Sequence, residues 1–176
     1  VTRSGAVPGK KVAKFLANRR EYTPVEEQRL YEMQMVDFDY IETYGLELVA
    51  GRDFDRKRPT DSIALILNQA AVAQFGFESD EAAIDERIIL EVTPDKRNRI
   101  IGVVKNYHQQ SLQKEYTPII LFMDPDYSWI PITYFSVKID SENFRYVLSE
   151  IKEKWEVFFP ESSFDYFFLN DFFNQQ

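Results

Sequence analysis

The clearest hydrophobic pattern lies near the C-terminus, where apolar residues recur every three or four positions from Phe144 to Phe158. This spacing places them on one face of a helix, and Pro160 predicts where that helix stops. Apolar runs at Thr133–Ile139 and Ser163–Leu169 flank the helix and predict strands. Because a strand-helix-strand crossover favours parallel strands, we expect the helix to lie on a sheet.

Shorter elements are predicted in the first third of the chain. Residues Leu30–Val36 predict a strand, and Asp39 with Glu42 forms a capping-box-like pair at the start of a short helix, Tyr40–Tyr44. Gly45 stands where a helix needs a left-handed residue to end. Before them, Val1–Gly9 predicts a turn, and the residues up to Glu21 predict irregular structure.

The middle of the chain predicts a strand followed by a helix. Ala64–Leu67 is the strand, Asn68 the helix N-cap, Ala70–Phe75 the helix and Gly76 its end. Three more strands are predicted at Arg87–Val92, Arg99–Val104 and Ile119–Phe122, the first two as an antiparallel hairpin.

These elements together predict an α+β fold. Turn-rich residues near Arg58-Pro59-Thr60 and Trp129-Ile130-Pro131 indicate boundaries between parts of the chain.

Composition narrows the function. A net charge of −8 disfavours nucleic-acid binding, which needs a basic face. The absence of cysteine excludes thiol catalysis and thiolate metal sites. No apolar window approaches the roughly 20 residues that cross a bilayer. No Gly-rich phosphate-binding motif occurs either, so we expect no cofactor and no metal.

Two sets of residues are candidates for chemistry. The sole histidine, His108, lies near Ser111 and could act as a general base in a hydrolase. The favoured alternative is a polar residue hydrogen-bonded to its neighbours. The acidic pairs Asp37/Asp39 and Asp124/Asp126 could bind calcium, but neither has the spacing of a calcium loop, and caps or turns explain both.

Aromatic and apolar residues near one loop and at the C-terminus are candidates for partner contact, since exposed apolar patches mark interfaces. They are Tyr127, Trp129, Ile130, Phe172 and Phe173. A ligand- or peptide-binding module whose pocket is lined by aromatic side chains is an alternative interpretation of the same residues.

Three segments resemble the periplasmic core domain of MacB-like, FtsX-like ABC-transporter permeases. Val36–Phe54 resembles that family's "D-x-x-Y" to "G-R-x-F" stretch, Ile66–Val72 its "hydrophobic-N" element, and Ile100–His108 its "I-I-G-V-V" strand. Val7-Pro8-Gly9 is similar to an early turn of the family, and Phe167–Phe173 to the strand that enters its stalk. The aromatic-rich pattern is most similar to Bacteroidetes members. Ala83-Ile84-Asp85-Glu86 departs from the family, which often has a glycine there.

The resemblance implies a non-enzymatic ectodomain on the periplasmic side of the bacterial inner membrane. It would stand between two transmembrane helices beyond Val1 and Gln176 and would have two lobes. The resemblance implies that residues 1–59 and 131–176 form the porter-like subdomain with strand-helix-strand units, and that residues 60–130 form an inserted, mostly β, sabre-like subdomain. Implied partners are a cytoplasmic ABC ATPase, a second permease copy, and a periplasmic adaptor or lipoprotein. The implied role is to transmit ATP-driven motion of the membrane helices outward.

Overall fold

The computed structural model describes residues 1–10, 15–109, 115–123, 131–139 and 141–174. Within these ranges the strands are β1 Thr2–Ser4, β2 Phe15–Arg20, β3 Arg29–Met35, β4 Leu48–Gly51, β5 Leu65–Asn68, β6 Arg87–Leu90, β7 Asn98–Val104, β8 Ile119–Phe122 and β9 Tyr134–Ser136. The helices are α1 Tyr40–Tyr44, α2 Gln69–Phe75, α3 Phe144–Phe158 and α4 Leu169–Asn174. The predicted α+β class is confirmed.

One mixed sheet dominates the structure, with strand order β4-β7-β5-β8-β3-β2-β6. It contains two parallel pairs, β3 with β8 and β5 with β7, while its other pairs are antiparallel. Because β6 also pairs with the start of β7, through Arg87 to Arg99 and Ile88 to Asn98, six strands close into a ring. The predicted hairpin of β6 and β7 is this closing pair.

Two apolar clusters pack on the two faces of the sheet, because successive side chains of a strand point to opposite faces. The first contains Tyr31, Met33 and Phe75 and includes α2, with the Tyr31 and Phe75 rings stacked at a centroid distance of 4.0 Å. The second contains Val36, Tyr40 and other residues and includes α1. The alternation along β3 therefore fixes which helix covers which face.

The predicted starts and ends of the two short helices are largely confirmed. Both Gly45 and Gly76 take the left-handed conformation at the helix ends, with φ of 66° and 75°. The Asn68 side chain caps α2 by accepting a hydrogen bond from the Ala71 amide at 2.9 Å. The capping-box expectation for Asp39 is wrong: its carboxylate makes no cap hydrogen bond, and it accepts one from the Arg56 guanidinium at 2.7 Å instead.

The N-terminal residues hold two strands that the sequence did not indicate. β1 pairs with β9 in a separate antiparallel sheet, and the stretch expected to be irregular forms β2. The polar residues of β2 hide its signal. Asn18 is buried, and its side chain donates a hydrogen bond to the Leu16 carbonyl and accepts one from the Glu91 amide. These bonds allow a polar residue to occupy a buried position in the strand.

The strand expected at Ser163–Leu169 is wrong. Residues 163–168 form no ladder, and α4 begins at Leu169. The alternating aromatics nevertheless contact each other in sequence, Phe164 with Tyr166 and Tyr166 with Phe168, each pair at a centroid distance of 5.7 Å. The alternation of aromatic residues therefore indicated an extended segment, but no described strand pairs with this segment. The strand-helix-strand crossover through α3 does not form in the described residues.

The described chain divides into two compact units, residues 1–136 and 137–176. The large sheet holds strands β2 to β4 from residues 1–59 and strands β5 to β8 from residues 60–130. The assignment of 1–59 and 131–176 to a porter-like subdomain and 60–130 to a sabre-like subdomain stays a prediction. The longest described helix, α3, has 15 residues, and none of the described helices has the length and apolar character to cross a membrane.

Candidate functional site

The residues of the family-like "G-R-x-F" stretch form a structural clasp after β4. The Arg52 guanidinium contacts the buried Asp61 carboxylate through two hydrogen bonds, Nη1 to Oδ2 at 2.5 Å and Nη2 to Oδ1 at 2.8 Å. The Asp55 amide also donates to Asp61 at 2.9 Å. Phe54 lies buried in the second apolar cluster between these polar groups. The clasp therefore fixes residues 52–61 against the sheet without forming a reactive centre.

Two glycines let the backbones of β4 and β7 approach each other. Gly51 has φ of 69°, and a Cβ there would overlap the Ile101 carbonyl oxygen and lie 2.8 Å from the Ile84 Cδ1. A Cβ on Gly102 would overlap the Arg52 carbonyl. Since the Arg52 amide donates to the Ile101 carbonyl at 2.9 Å, this close approach positions the clasp arginine.

A turn forms at residues 83–86, where the family that the sequence resembles often has a glycine and this chain has none. Asp85 takes φ of 68°, and its amide donates to the Ile100 carbonyl at 2.9 Å. Aspartate tolerates the left-handed region better than most residues, which explains how the turn forms here. Its carboxylate pairs with Arg99 at 3.2 Å.

A groove of about 660 Å³ is the candidate binding feature of residues 1–136. Its lining includes apolar side chains together with two carboxylates and two guanidinium groups. Among the residues that line it, Asp37 and Asp39 are the two that the sequence marks as candidates for chemistry. It is lined by Arg3, Met35, Val36, Asp37, Phe38, Asp39, Arg56, Met123, Pro131 and Ile132.

The two carboxylates of the groove have protein partners. Asp37 accepts hydrogen bonds from the Thr2 hydroxyl, the Arg3 amide at 3.0 Å and the Asp39 amide at 3.2 Å, which ties β1 to the end of β3. Asp39 pairs with Arg56, whose guanidinium also lies 4.9 Å from the Phe38 ring centroid. Within the described ranges no group of three or more acidic or histidine side chains could hold a metal ion.

The histidine of the hydrolase alternative lies beside an aromatic ring. The His108 ring centroid is 4.6 Å from that of Tyr116, and in the described part of the chain no carboxylate or hydroxyl hydrogen-bonds to the imidazole. Ser111 lies outside the described residues. The geometry that is described gives no support to a catalytic role for His108.

The predicted partner-contact residues fall largely outside the described part of the chain. Tyr127, Trp129 and Ile130 belong to residues 124–130, which are not described, although Met123 and Pro131 on either side line the groove. The backbones of Phe172 and Phe173 lie in α4, but their side chains are not described. Their contact role stays a prediction.

In the unit of residues 137–176 aromatic rings pack along one side of α3. Phe144 meets Phe168 edge-on at 5.7 Å, and Trp155 meets Phe164 at 6.1 Å. The Trp155 indole donates to the Ser162 carbonyl at 3.3 Å. None of the described side chains of this unit is fully buried. Two residues of the predicted apolar stripe, Phe144 and Trp155, thus contact the aromatic rings of Phe168 and Phe164.

Comparison with solved structures gives three similar folds. They are the periplasmic region of MacB from Actinobacillus actinomycetemcomitans (TM-score 0.52, 13% identity, 87% of this chain and 64% of that chain), a domain described as a permease protein's from Porphyromonas gingivalis (0.53, 16%, 99% and 82%), and the extracellular domain of the noncanonic ABC-type transporter YknZ from Gram-positive bacteria (0.55, 14%, 82% and 67%).

The chain spans less than two thirds of the MacB periplasmic region. No protein-family model and no curated protein matches the chain. Its likeness to the solved structures is therefore one of fold, and it agrees with the resemblance of the Val36–Phe54 stretch. The chain has the fold of the extracytoplasmic domains of MacB-like ABC-transporter permeases.

Proposed function

We propose that this chain is the extracytoplasmic domain of an ABC-transporter permease and that it passes motion of the membrane helices to partners outside the membrane. The observation that carries the proposal is the fold it shares with three such transporter domains at 13–16% identity. The proposal assigns no bond-breaking step and no cofactor to this chain. ATP hydrolysis would occur on a separate cytoplasmic subunit or domain.

The construction of residues 1–136 supports a mechanical role. A body that transmits displacement must resist deformation, and close packing supplies that resistance. Six strands form a closed ring, and both sheet faces carry buried apolar clusters. The clasp of Arg52 and Asp61 adds a fixed loop to this body.

The proposed setting has three kinds of partner. A cytoplasmic ABC ATPase would drive the motion, a second permease copy would complete the transporter, and a periplasmic adaptor or lipoprotein would receive the motion. The chain would lie on the periplasmic side of the bacterial inner membrane. We expect the reading frame that encodes it to continue into transmembrane segments before Val1 and after Gln176.

Distance measurement between paired spin labels tests the motion. The chain has no cysteine, so a pair at Tyr22→Cys and Val157→Cys would be the only label sites that it contributes. These side chains are 91% and 75% exposed, and they stand in the two compact units. In the full-length transporter, double electron–electron resonance should give one distance distribution in the absence of nucleotide and a different one after ATP-vanadate trapping.

A label pair within one unit is the matched control. Tyr22→Cys with Ser62→Cys places both labels on exposed positions of residues 1–136, and this pair should keep one distribution in both states. A chain that moves as a rigid whole would change only the distance between labels on the two permease copies. Unchanged distances for both pairs, together with an unchanged distance between single Tyr22→Cys labels on the two copies, would therefore contradict motion transmission. An enzyme activity of the isolated chain that needs His108 would contradict the non-enzymatic assignment.

The groove favours a second candidate function, a ligand- or peptide-binding module. The groove combines apolar side chains with Arg3 and the Arg56–Asp39 pair. Ligand pockets likewise combine apolar side chains with a few polar groups. Short synthetic peptides should then shift the NMR signals of Phe38 and Met123, and Phe38→Ala should weaken those shifts. If no peptide moves these signals while the spin-label distances change with nucleotide, the mechanical function stands without the second one.

A further inference from the structure

One acidic residue is buried in the middle of the large sheet. The Glu32 side chain in β3 is 0% exposed, and its Oε1 accepts a hydrogen bond from the Gln34 amide nitrogen at 2.9 Å. Among the described residues its Oε2 has no hydrogen-bond partner, although a buried polar atom normally has one. The predicted strand Leu30–Val36 contains this residue, but the sequence pattern alone did not predict that the Glu32 side chain is buried.

The Gln34 amide connects this carboxyl group to two other elements. Its Oε1 accepts hydrogen bonds from the Tyr40 hydroxyl at 3.2 Å and from the Tyr107 hydroxyl at 3.1 Å. Tyr40 opens α1, and Tyr107 follows β7. We call Glu32, Gln34, Tyr40 and Tyr107 the Glu32 cluster. One side-chain amide thus joins α1 and the segment after β7 to β3.

No positive charge compensates the carboxyl group in the described residues. The titratable groups that face it are Tyr40 from α1 and Tyr107 after β7, with Tyr44 next to Tyr40 at a ring distance of 4.7 Å. The neighbouring strands place Phe15 of β2 and Ile119 of β8 at its register.

Two of the described lysines, Lys105 and Lys10, contact groups other than Glu32. Lys105 pairs with Glu47 at 2.8 Å, and the Lys10 ammonium lies 5.2 Å from the Tyr134 ring centroid. Burial raises the pKa of Glu32 from 4.5 to about 7 despite the hydrogen bond from Gln34, which lowers it. Burial raises the pKa of both tyrosines as well, so they stay neutral donors.

We propose that the Glu32 cluster is a proton-sensitive fastening that holds α1 and the segment after β7 on the sheet when Glu32 is protonated and loosens them when it ionises. A buried carboxylate with an unpaired oxygen and no cation can regain hydration only if the covering elements open. The elements that cover it here are those joined by Gln34. This inference goes beyond the proposed function and its test requires no partner.

The direction of the pH effect follows from linkage. Because the folded pKa lies above the open-state value of 4.5, the closed state holds the proton more tightly between 4.5 and about 7. The closed state is therefore fully favoured below 4.5. It loses stability relative to the open state as pH rises through this window, and the loss is complete above about 7.

Hydrogen exchange of the purified chain measures the opening. After correction for intrinsic exchange, the opening constant of the α1 amides should rise by up to about tenfold per pH unit within this window and then level off. The Glu32→Gln variant cannot ionise at this position and should show no such rise. Glu42→Gln, an exposed residue of the same helix, is the matched control and should keep the wild-type response.

A carboxyl-carbon NMR titration of the wild-type chain gives an answer that does not depend on the folding of a variant. The Glu32 signal should titrate with a midpoint near 7. A Glu32 midpoint near 4.5 would overturn the proposal, and so would an unchanged pH response in a folded Glu32→Gln variant.

Discussion

At the residue scale, the "G-R-x-F" residues of the stretch that resembles the family stabilise the fold. Arg52 neutralises Asp61, Gly51 admits the Ile101 carbonyl, and Phe54 fills the second apolar cluster. None of these three residues lines the groove. A motif of this kind reports how a loop is fastened to a sheet, so its presence predicts fold better than it predicts chemistry.

Replacing the clasp arginine should destabilise the chain strongly. Arg52→Ala leaves the fully buried Asp61 carboxylate without its bidentate partner, and we expect a loss of about 3 kcal/mol in the free energy of unfolding. Arg56→Ala is the control, because its pair with Asp39 is exposed on both sides and should contribute far less to the free energy of unfolding. Urea unfolding measures both, and equal losses would refute the special role of the clasp.

The stabilisation by this clasp should disappear in acid. The hydrogen bonds from Arg52 lower the pKa of Asp61 below its ordinary value of 3.8, so the unfolded chain takes up this proton first as pH falls. The contribution is complete above 3.8 and is lost as pH falls through the folded pKa. The gap in unfolding free energy between wild type and Arg52→Ala should therefore narrow below pH 3.8. A gap that widens in acid would contradict this sign.

At the scale of elements, local signals predicted those whose ends are marked by individual residues. Asn68 and Gly76 bound α2, and Gly45 ends α1, because capping and left-handed residues act within one turn. β1 and β2 escaped prediction because part of their pairing is with strands far along the chain, β9 for β1 and β6 for β2, while the neighbouring β3 completes the pairing of β2. The groove escaped for the same reason, since Arg3 and Met123 meet only after folding.

The pairing of β4 with β7 should depend on the missing side chain at Gly51. Gly51→Ala forces a Cβ onto the Ile101 carbonyl, whereas Gly45→Ala, at nearly the same φ, meets no atom within 4 Å. Both substitutions carry the cost of a left-handed alanine, about 1 kcal/mol. We expect Gly51→Ala to cost about 2 kcal/mol more than Gly45→Ala because of overpacking. Comparable thermal stability of the two variants would show that β4 can move away at no cost.

At the scale of the whole molecule, the two compact units differ in how they are held together. Residues 1–136 contain both buried clusters, whereas the unit of residues 137–176 has no fully buried side chain among those described. The sequence predicted α3 from its periodicity. It did not reveal what packs against α3, because the rings of Phe164 and Phe168 reach Trp155 and Phe144 only after the chain folds back along the helix.

Each unit expressed alone should behave accordingly. A peptide of residues 137–176 should melt without a cooperative transition in circular dichroism, because a helix of 15 residues is marginal in water without tertiary packing. Residues 1–136 should retain a sharp transition, since their sheet and clusters are complete within that range. A cooperative melt of the shorter peptide would show that its ring contacts suffice as a core.

The closure of the sheet through β6 and β7 has a consequence for solubility. Open sheet edges recruit further strands and so seed fibrils, and a closed ring removes such edges. In the large sheet, β4 is the one described strand with an unpaired side, and it is four residues long, with a register shift and Gly51 at its end. Intermolecular strand addition therefore has little to grow from at the large sheet, and this sheet should not seed amyloid-type aggregation at high concentration.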